Sequence, residues 1–306
     1  MLRRRGTAVA IALLGAALAA AGCGLGPGEE VGEVSLTVTR DYGAEPVQPP
    51  ASEAASESDT VMRVLEREAE ISTRYGGGFV KSIDGVSEAV QGGRRYDWFF
   101  YVNGVESPVG AADFPLRGGE AIWWDYRDWM AASRVPAVVG SWPEPFAGGY
   151  EGERHPVSVE CRGAAPACGT VRERLEQAGA TLVAGSPEDA IRVLVGPWAR
   201  LRSDPAAAQL EHGPQTSGVF ADFASGGGGG FSLHGLDEAG EPARDFGPEA
   251  GLVAATRRYE APPVWLVSSA TVAGVQAAAG LLDSADLRDH YAVATEGGKE
   301  TPLPIR

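Results

Sequence analysis

The side chains that could carry catalysis or bind a metal are few and widely spaced. The four histidines stand apart from one another, and two of them precede glycine: His155, His212, His234 and His290. The chain has neither a Gly-x-Ser-x-Gly nucleophile elbow nor a His-Glu-x-x-His zinc motif. The glycines at 226–230 run into Phe231 rather than into a helix start, which argues against a phosphate loop. We therefore expect a protein that is not an enzyme, with no catalytic residue and no metal site. A hydrolase would need groups that converge only in space.

A group of hydroxyl residues stands where many α/β proteins bind a ligand. Ser268 and Ser269 follow the apolar run Val264–Val267, which predicts a buried strand, and Thr271 opens a predicted helix that continues to Leu282. At this edge of a sheet the free amides of a helix N-terminus can contact a ligand. Serine and threonine also act here simply as N-caps. Ser268 and Ser269 are thus candidate ligand-binding residues, with N-capping as the alternative.

Aromatic residues concentrate between positions 96 and 129, where four of the seven tryptophans lie. The period-two patterns of residues 96–102 and 121–126 predict two strands with aromatic side chains on both faces. The Asn-Gly pair at 103–104 predicts a type I′ turn. A half-exposed sheet needs only one apolar face, so the second face either packs against a neighbouring domain or binds a ligand. The candidate ligand-binding residues of this stretch are Phe99, Tyr101, Asn103, Trp123 and Asp125.

Two cysteines of the second half, Cys161 and Cys168, are separated by six residues. An even pair in an exported chain most often forms a disulfide, and no further cysteine or histidine lies beside them to complete a metal site. We expect a disulfide, with free thiols as the alternative.

Residues 1–22 have the pattern of a secretory leader. Three arginines precede an apolar segment, residues 8–21, that is too short to remain as a membrane-spanning helix. Residues 20–23 read Ala-Ala-Gly-Cys, which resembles a bacterial lipobox and implies lipid attachment to Cys23. The alternative is an ordinary signal peptide. Cleavage would remove the three arginines and take the net charge from −15 to −18. So acidic a chain is poorly suited to nucleic acid. We expect a lipid anchor on the outer face of the cell membrane.

The sequences WFFYVNG at 98–104, GGE at 118–120 and IWWDY at 122–126 are similar to the transcobalamin-like C-terminal domain family. The resemblance covers about residues 33–130. It implies a β-grasp-like fold, as in bacterial surface lipoproteins and in the smaller domain of the vitamin carriers. In those carriers the domain closes over cobalamin against an α-helical barrel, and this sequence predicts no helical segment of that length. Cobalamin is therefore a candidate ligand that the resemblance implies, and no cofactor is certain.

These patterns predict an α+β protein, with the β-grasp-like domain followed by an α/β domain of unrecognised family. We expect the following divisions: a leader at 1–22, a tether at 23–32, the first domain at 33–130, a linker at 131–153 and the second domain at 154–306. Within the first domain, Asp59 is expected to cap a helix that runs to Tyr75, and residues 44–58 are expected to form a loop. Within the second domain, residues 248–257 are predicted to be helical.

The aromatic stretch and the leader together predict a lipid-anchored binding protein outside the cytoplasm. Its ligand would be a small molecule or a polymer fragment held on the aromatic face. The alternative is a structural or protein-interaction lipoprotein, whose aromatic faces are buried by domain packing or by a membrane protein partner. Burial of Phe99, Tyr101 and Trp123 by the second domain would favour this alternative.

Overall fold

A computed structural model describes residues 28–226 and 229–306; the leader predicted at 1–22, the start of the tether and the lipidation site Cys23 lie outside them. Residues 28–156, here called the N-terminal half, contain ten strands and one α-helix. In chain order they are β1 (Glu30–Arg40), β2 (Glu45–Pro46), β3 (Ala51–Ser56), α1 (Val61–Glu68), β4 (Ile71–Arg74), β5 (Phe79–Ile83), β6 (Val86–Ser87), β7 (Ala89–Gln91), β8 (Arg94–Val102), β9 (Val105–Glu106) and β10 (Ala121–Asp128).

Seven of these strands form one sheet, in the order β2-β1-β10-β8-β7, with β3 also on β1 and β9 also on β8. β1 and β10 run parallel, and the other pairs are antiparallel. The predicted aromatic strands are therefore β8 and β10, paired side by side. The expected loop at 44–58 is wrong in part, because it contains β2 and β3. β3 is a polar edge strand in which only Ala55 is buried, so its sequence resembles a loop.

Helix α1 packs its apolar side against one face of this sheet. Its N-cap is Thr60 and not the predicted Asp59; the Thr60 side chain accepts a hydrogen bond from the backbone N–H of Arg63. Val64 and Leu65 are fully buried in a core that they share with Trp124 of β10. The predicted extension of this helix to residue 75 is wrong. Residues 71–74 instead form β4, which pairs with β5, because strand pairing across the glycine-rich turn at 76–78 overrides local helix preference.

The described residues from 157 onward are here called the C-terminal half, which forms nine strands and five α-helices. In chain order they are β11 (Val157–Cys161), α2 (Ala165–Gln177), β12 (Ile191–Pro197), α3 (Trp198–Leu201), α4 (Pro214–Ser217), β13 (Ala221–Ser225), β14 (Phe231–Leu236), β15 (Pro242–Asp245), β16 (Gly251–Thr256), β17 (Val264–Ser269), α5 (Val272–Gly280), α6 (Ser284–Leu287), β18 (Ala292–Glu296) and β19 (Lys299–Leu303).

Six of these strands form a mixed sheet in the order β11-β12-β17-β16-β18-β19. The first three strands are parallel, and the others join antiparallel. Helices α2 and α5 pack on one face of it. The helix predicted at 248–257 is wrong, because residues 251–256 are β16, a central strand buried on both faces. An apolar run of this kind does not distinguish a buried strand from a buried helix by its periodicity.

The overall class is α+β, as the sequence predicts. The predicted disulfide joins Cys161 at the end of β11 to Cys168 in α2. Residues 131–153, predicted as a linker, pack into the interior through buried side chains that include Val135, Val138 and Phe146. Within the described ranges, no helix is long and apolar enough to cross a membrane.

Candidate functional site

The predicted ligand-binding face of β8 and β10 is partly closed by the C-terminal half. Tyr101 and Trp123 are a cross-strand pair and are 0% and 2% exposed. The ring of Tyr291 meets both edge-on, with centroid distances of 5.8 Å to Tyr101 and 5.4 Å to Trp123. The indole N–H of Trp123 donates to Oγ1 of Thr39 at 2.8 Å. Here the second aromatic face is used for packing between the two halves.

Asp125 lies at the centre of this packed region and is fully buried. Its Oδ1 accepts hydrogen bonds from Thr39 Oγ1 at 2.7 Å and from the Gly43 N–H at 3.0 Å. Its Oδ2 accepts from the Tyr42 N–H at 3.1 Å and from the Tyr291 hydroxyl at 2.9 Å. Burial raises the pKa of Asp125 to about 6, against the lowering effect of these hydrogen bonds. Both oxygens of this carboxylate therefore accept two hydrogen bonds each from groups of the protein itself.

Asn103 has a structural position in the hairpin turn between β8 and β9. Its φ of 53° and that of Gly104, 73°, agree with the predicted type I′ turn. The side chain is buried, accepting from the Ala121 N–H at 2.8 Å and donating to the Gly149 carbonyl at 2.8 Å. The amide therefore ties the turn to β10 and to the segment at 149.

Ser268 and Ser269 also direct their hydroxyls inward. Both are fully buried at the end of β17. Ser268 Oγ donates to the Gly196 carbonyl at 3.0 Å, and Ser269 Oγ donates to the Ala250 carbonyl at 2.6 Å. Thr271 provides the N-cap of α5, as its side chain accepts from the Gly274 N–H at 3.1 Å. The arrangement matches the N-capping alternative at Thr271 and brings neither serine to an open surface.

Phe99 lines the larger of two open clefts that contain a predicted ligand-binding residue; Asn103 lines the other, a pocket of about 250 Å³. The larger one, here called the cleft, lies along the outer edge of β8, the edge away from β10, and has a volume of about 610 Å³. Its aromatic lining residues are Phe79, Trp98, Phe99, Phe100, Trp124 and Trp129. Among these, Phe99, Phe100 and Trp129 are half-buried and Phe79 is 37% exposed, so these four rings are accessible to a ligand.

The cleft exists because the two neighbours of β8 on this edge are short. β7 pairs with β8 only over residues 94–96, and β9 pairs with it only over residues 101–102. Among the described residues, no strand pairs with this edge at residues 97–100. The edge of β8 is therefore unpaired between two hairpin arms, and residues 78–80 of the β5 region and residues from 107 to 111 also line the cleft.

Two chemically different walls border the open edge. Phe100 and Trp124 stack at a centroid distance of 4.9 Å on the wall nearer α1, together with Trp98. On the opposite wall, Phe99 lies under the guanidinium of Arg127, which is 3.8 Å from the ring centroid. Trp129 completes this second wall.

The second wall also carries the charged groups of the cleft. Asp97, Glu106, Arg134 and Glu260 line it. Glu106 forms a salt bridge of 2.8 Å with Arg134, yet burial still raises the pKa of Glu106. Burial likewise raises the pKa of Asp97, whose Oδ1 accepts from the Trp98 N–H at 2.9 Å. Three carboxylates against the guanidiniums of Arg134 and Arg127 leave this wall with a net charge of −1.

Sequence reasoning missed Trp98, Phe100, Trp124 and Trp129 as cleft residues. The sequence did contain an indication that part of β8 would stay unpaired. The Gly-Gly turn at 92–93 and the Asn-Gly turn at 103–104 delimit a nine-residue strand, and Pro108 ends the second arm almost at once. Arms this short do not cover the whole of β8.

Two other polar clusters lie outside the cleft. Glu160 and Asp204 pair with Arg192 at 2.6 and 2.5 Å. His234 lies between two aspartates of neighbouring strands, at 3.3 Å from Asp222 and 3.5 Å from Asp245. Within the described ranges, no group of three or more His, Cys, Asp or Glu residues could hold a metal ion.

Comparison with known proteins gives a partial match. The family of a domain of unknown function, DUF4430, matches residues 58–128, which run from just before α1 to the end of β10. No curated protein matches the chain. A solved structure from Ruminococcus gnavus ATCC 29149, described as a "putative metal binding protein", is 16% identical with a TM-score of 0.25, covering 32% of this chain and 97% of that one. Haptocorrin in complex with Cbi is 14% identical with a TM-score of 0.24, and the match covers 32% of this chain and 26% of haptocorrin.

Proposed function

We propose that the protein is a lipid-anchored binding protein on the outer face of the cell membrane, and that its ligand site is the cleft at the outer edge of β8. The observation that carries this proposal is the cleft itself. Its volume of about 610 Å³ and its six aromatic lining residues match the size and composition usual for ligand sites. The four charged groups on one wall would orient the ligand.

Two features of the sequence support the cellular setting and the ligand class. The leader at 1–22 and Cys23 support export and lipid attachment. The resemblance to the transcobalamin-like C-terminal domain covers β8 and β10, the strands that border the cleft, and makes cobalamin a candidate ligand. The site proposed here differs from the face first predicted, because Tyr101 and Trp123 are buried.

The polar groups of the cleft favour binding over catalysis. They are carboxylates and a guanidinium at the rim of an aromatic wall, and Glu106 is already paired with Arg134. Such groups hold and orient a ligand. The proposal is therefore that the protein is not an enzyme.

The test is titration of the full-length protein with cobalamin, cobinamide, haem and short basic–apolar peptides. Calorimetry and tryptophan fluorescence detect the binding. Saturable binding is expected for at least one of them, and Trp129→Ala should weaken it about tenfold or more, since aromatic contacts dominate such sites. Phe231→Ala is the matched control. Phe231, like Trp129, is a half-buried aromatic residue beneath an arginine, but it lies outside the cleft.

Absence of saturable binding by every compound would overturn the proposal, as would equal weakening by Trp129→Ala and Phe231→Ala. A structural or protein-interaction lipoprotein would then be the better account. The burial of Tyr101 and Trp123 between the two halves is the observation that favours it.

A further inference from the structure

We infer that the cleft binds an extended peptide segment, which adds as a strand antiparallel to β8 and alternates apolar with basic side chains. This inference rests on the proposed function, because it names the ligand class of the same cleft. Three features of the open edge carry it: its length, its backbone groups and the different chemistry of its two walls.

The first feature is a gap between two collinear strands. β9 ends with Glu106 opposite Tyr101, and β7 begins with Ala89 opposite Tyr96. Both run antiparallel to β8, so they lie on one line along its outer edge, separated by the positions opposite residues 97–100. At about 3.4 Å per residue, four positions span about 14 Å. A segment of about four residues would complete the interrupted strand.

The second feature is the direction of the backbone groups of β8. The Asn103 N–H donates to the Ala121 carbonyl, and the Arg95 carbonyl accepts from the Trp129 N–H. Odd-numbered residues of β8 therefore direct their backbone groups toward β10. Because this direction alternates along a strand, Trp98 and Phe100 direct theirs toward the gap.

One backbone donor of this edge, the Trp98 N–H, already has a side-chain partner. Asp97 Oδ1 accepts the Trp98 N–H, in the place where the carbonyl of a neighbouring strand would stand. The N–H and C=O of Phe100 and the C=O of Trp98 face the cleft. An added strand satisfies such groups, which is how extended peptides bind sheet edges in general.

The third feature is the contrast between the two walls. Side chains directly opposite each other on neighbouring strands share a face. Peptide residues opposite Trp98 and Phe100 would therefore meet the aromatic wall with Trp124, and should be apolar. The residue between them, opposite Phe99, would meet the acidic wall.

The acidic wall calls for a basic residue at that position. The salt bridge to Arg134 neutralises Glu106, and the guanidinium of Arg127 is buried against Phe99 and does not line the cleft. The carboxylates of Asp97 and Glu260 are left to face the ligand. A lysine or arginine side chain complements them in charge. The preferred segment is thus apolar–basic–apolar.

The probe for the test is acetyl-Leu-Lys-Leu-Lys-Leu-amide, titrated into the full-length protein. We expect saturable binding in the micromolar range. Replacing both lysines by glutamate should weaken binding about tenfold or more. N-methylation of the leucine amides, which would pair with β8, should also weaken it about tenfold or more, whereas N-methylation of the lysine amides should leave it within about threefold.

Two measurements on the protein complement the peptide series. Bound peptide should slow hydrogen exchange of the Phe100 amide about tenfold or more, as a new strand hydrogen bond requires. Glu260→Gln should reduce the preference for lysine over glutamate, while Glu249→Gln, an exposed carboxylate outside the cleft, should not.

The outcomes separate the two proposals. Binding of a tetrapyrrole that depends on Trp129, without binding of the lysine peptide, overturns the peptide inference and leaves the proposed function intact. Peptide binding that is indifferent to the position of N-methylation, or that does not protect the Phe100 amide, also overturns strand addition. No binding by any compound overturns both.

Discussion

The hydroxyl of Tyr291 donates a hydrogen bond of 2.9 Å to Oδ2 of Asp125, and this bond joins the C-terminal half to the N-terminal sheet inside the core. The same carboxylate accepts from Thr39 and from the turn after β1. One buried acid thus connects segments that lie far apart in the sequence. The contact between the two halves therefore includes a polar interaction as well as aromatic packing.

The stability of the protein should fall as the pH rises through the range in which Asp125 ionises. Burial raises the pKa of Asp125 from 3.8 to about 6 in the folded state, so between these values the folded state binds more protons than the unfolded state. This contribution is fully present below about pH 4 and is lost by about pH 6, at a cost of up to about 3 kcal/mol. Urea unfolding from pH 4 to 7 measures it.

The Asp125→Asn variant isolates this contribution from those of other acids. It should lack this part of the pH dependence, whereas Asp113→Asn, a change at an exposed acid, should retain it. The same pH slope in Asp125→Asn and in the unaltered protein would show that the buried carboxyl does not titrate in this range.

The Tyr291→Phe variant should lower the free energy of unfolding by about 1–3 kcal/mol, because it removes a hydrogen bond to a buried carboxylate. The loss should be larger above pH 6, where Asp125 is charged. Tyr259→Phe is the control, since Tyr259 is 82% exposed, and it should change stability by less than about 0.5 kcal/mol. Equal effects of the two variants would contradict a structural role for the bond.

The Gly140→Ala variant should destabilise the contact between the halves. A Cβ at Gly140 would lie 2.6 Å from the backbone nitrogen of His290 and 2.8 Å from the ring of Trp123, neither of which can move freely. The expected loss is about 1–3 kcal/mol, the usual range for overpacking. Gly169→Ala is the matched comparison. Gly169 lies inside α2 with open space at the Cβ position, so alanine should stabilise by about 0.5–1 kcal/mol. Thermal unfolding of both variants gives the comparison, and stabilisation by Gly140→Ala would refute the close packing.

The proposed lipid anchor would be attached to the thiol of Cys23, so replacement of Cys23 by serine should release the protein from the membrane fraction. The double variant Cys161→Ser/Cys168→Ser should remain with the membrane, because those residues form the internal disulfide. Fractionation followed by immunoblotting measures this. Retention of Cys23→Ser at the membrane would argue for another mode of anchoring.

Features that depend on neighbours in the sequence could be predicted from it. The Asn103–Gly104 turn has the expected positive φ angles, Cys161 and Cys168 pair across seven positions, and residues 264–267 form a buried strand. In each case the interaction that determines the structure is local, or the apolar run is bounded by clear breaks.

Features that depend on distant partners could not be predicted. Phe99 and Tyr101 lie two residues apart on the same face of β8, and the sequence does not distinguish them. Tyr101 is buried because Tyr291, 190 positions away, packs on it, whereas Phe99 borders a cleft because β9 stops after Glu106. The same limitation explains the wrong helix prediction at 248–257. These residues contain strand β16 because of its pairing with β17 and β18.

β8 both borders the cleft and forms part of the core between the two halves. Phe99 lines the cleft, and Tyr101 packs against Tyr291. A ligand in the proposed cleft would therefore contact the same strand that packs the two halves together. If the ligand changed the packing of the halves, the coupling would be reciprocal, and a partner that fixed that packing would shift the ligand affinity by the same factor.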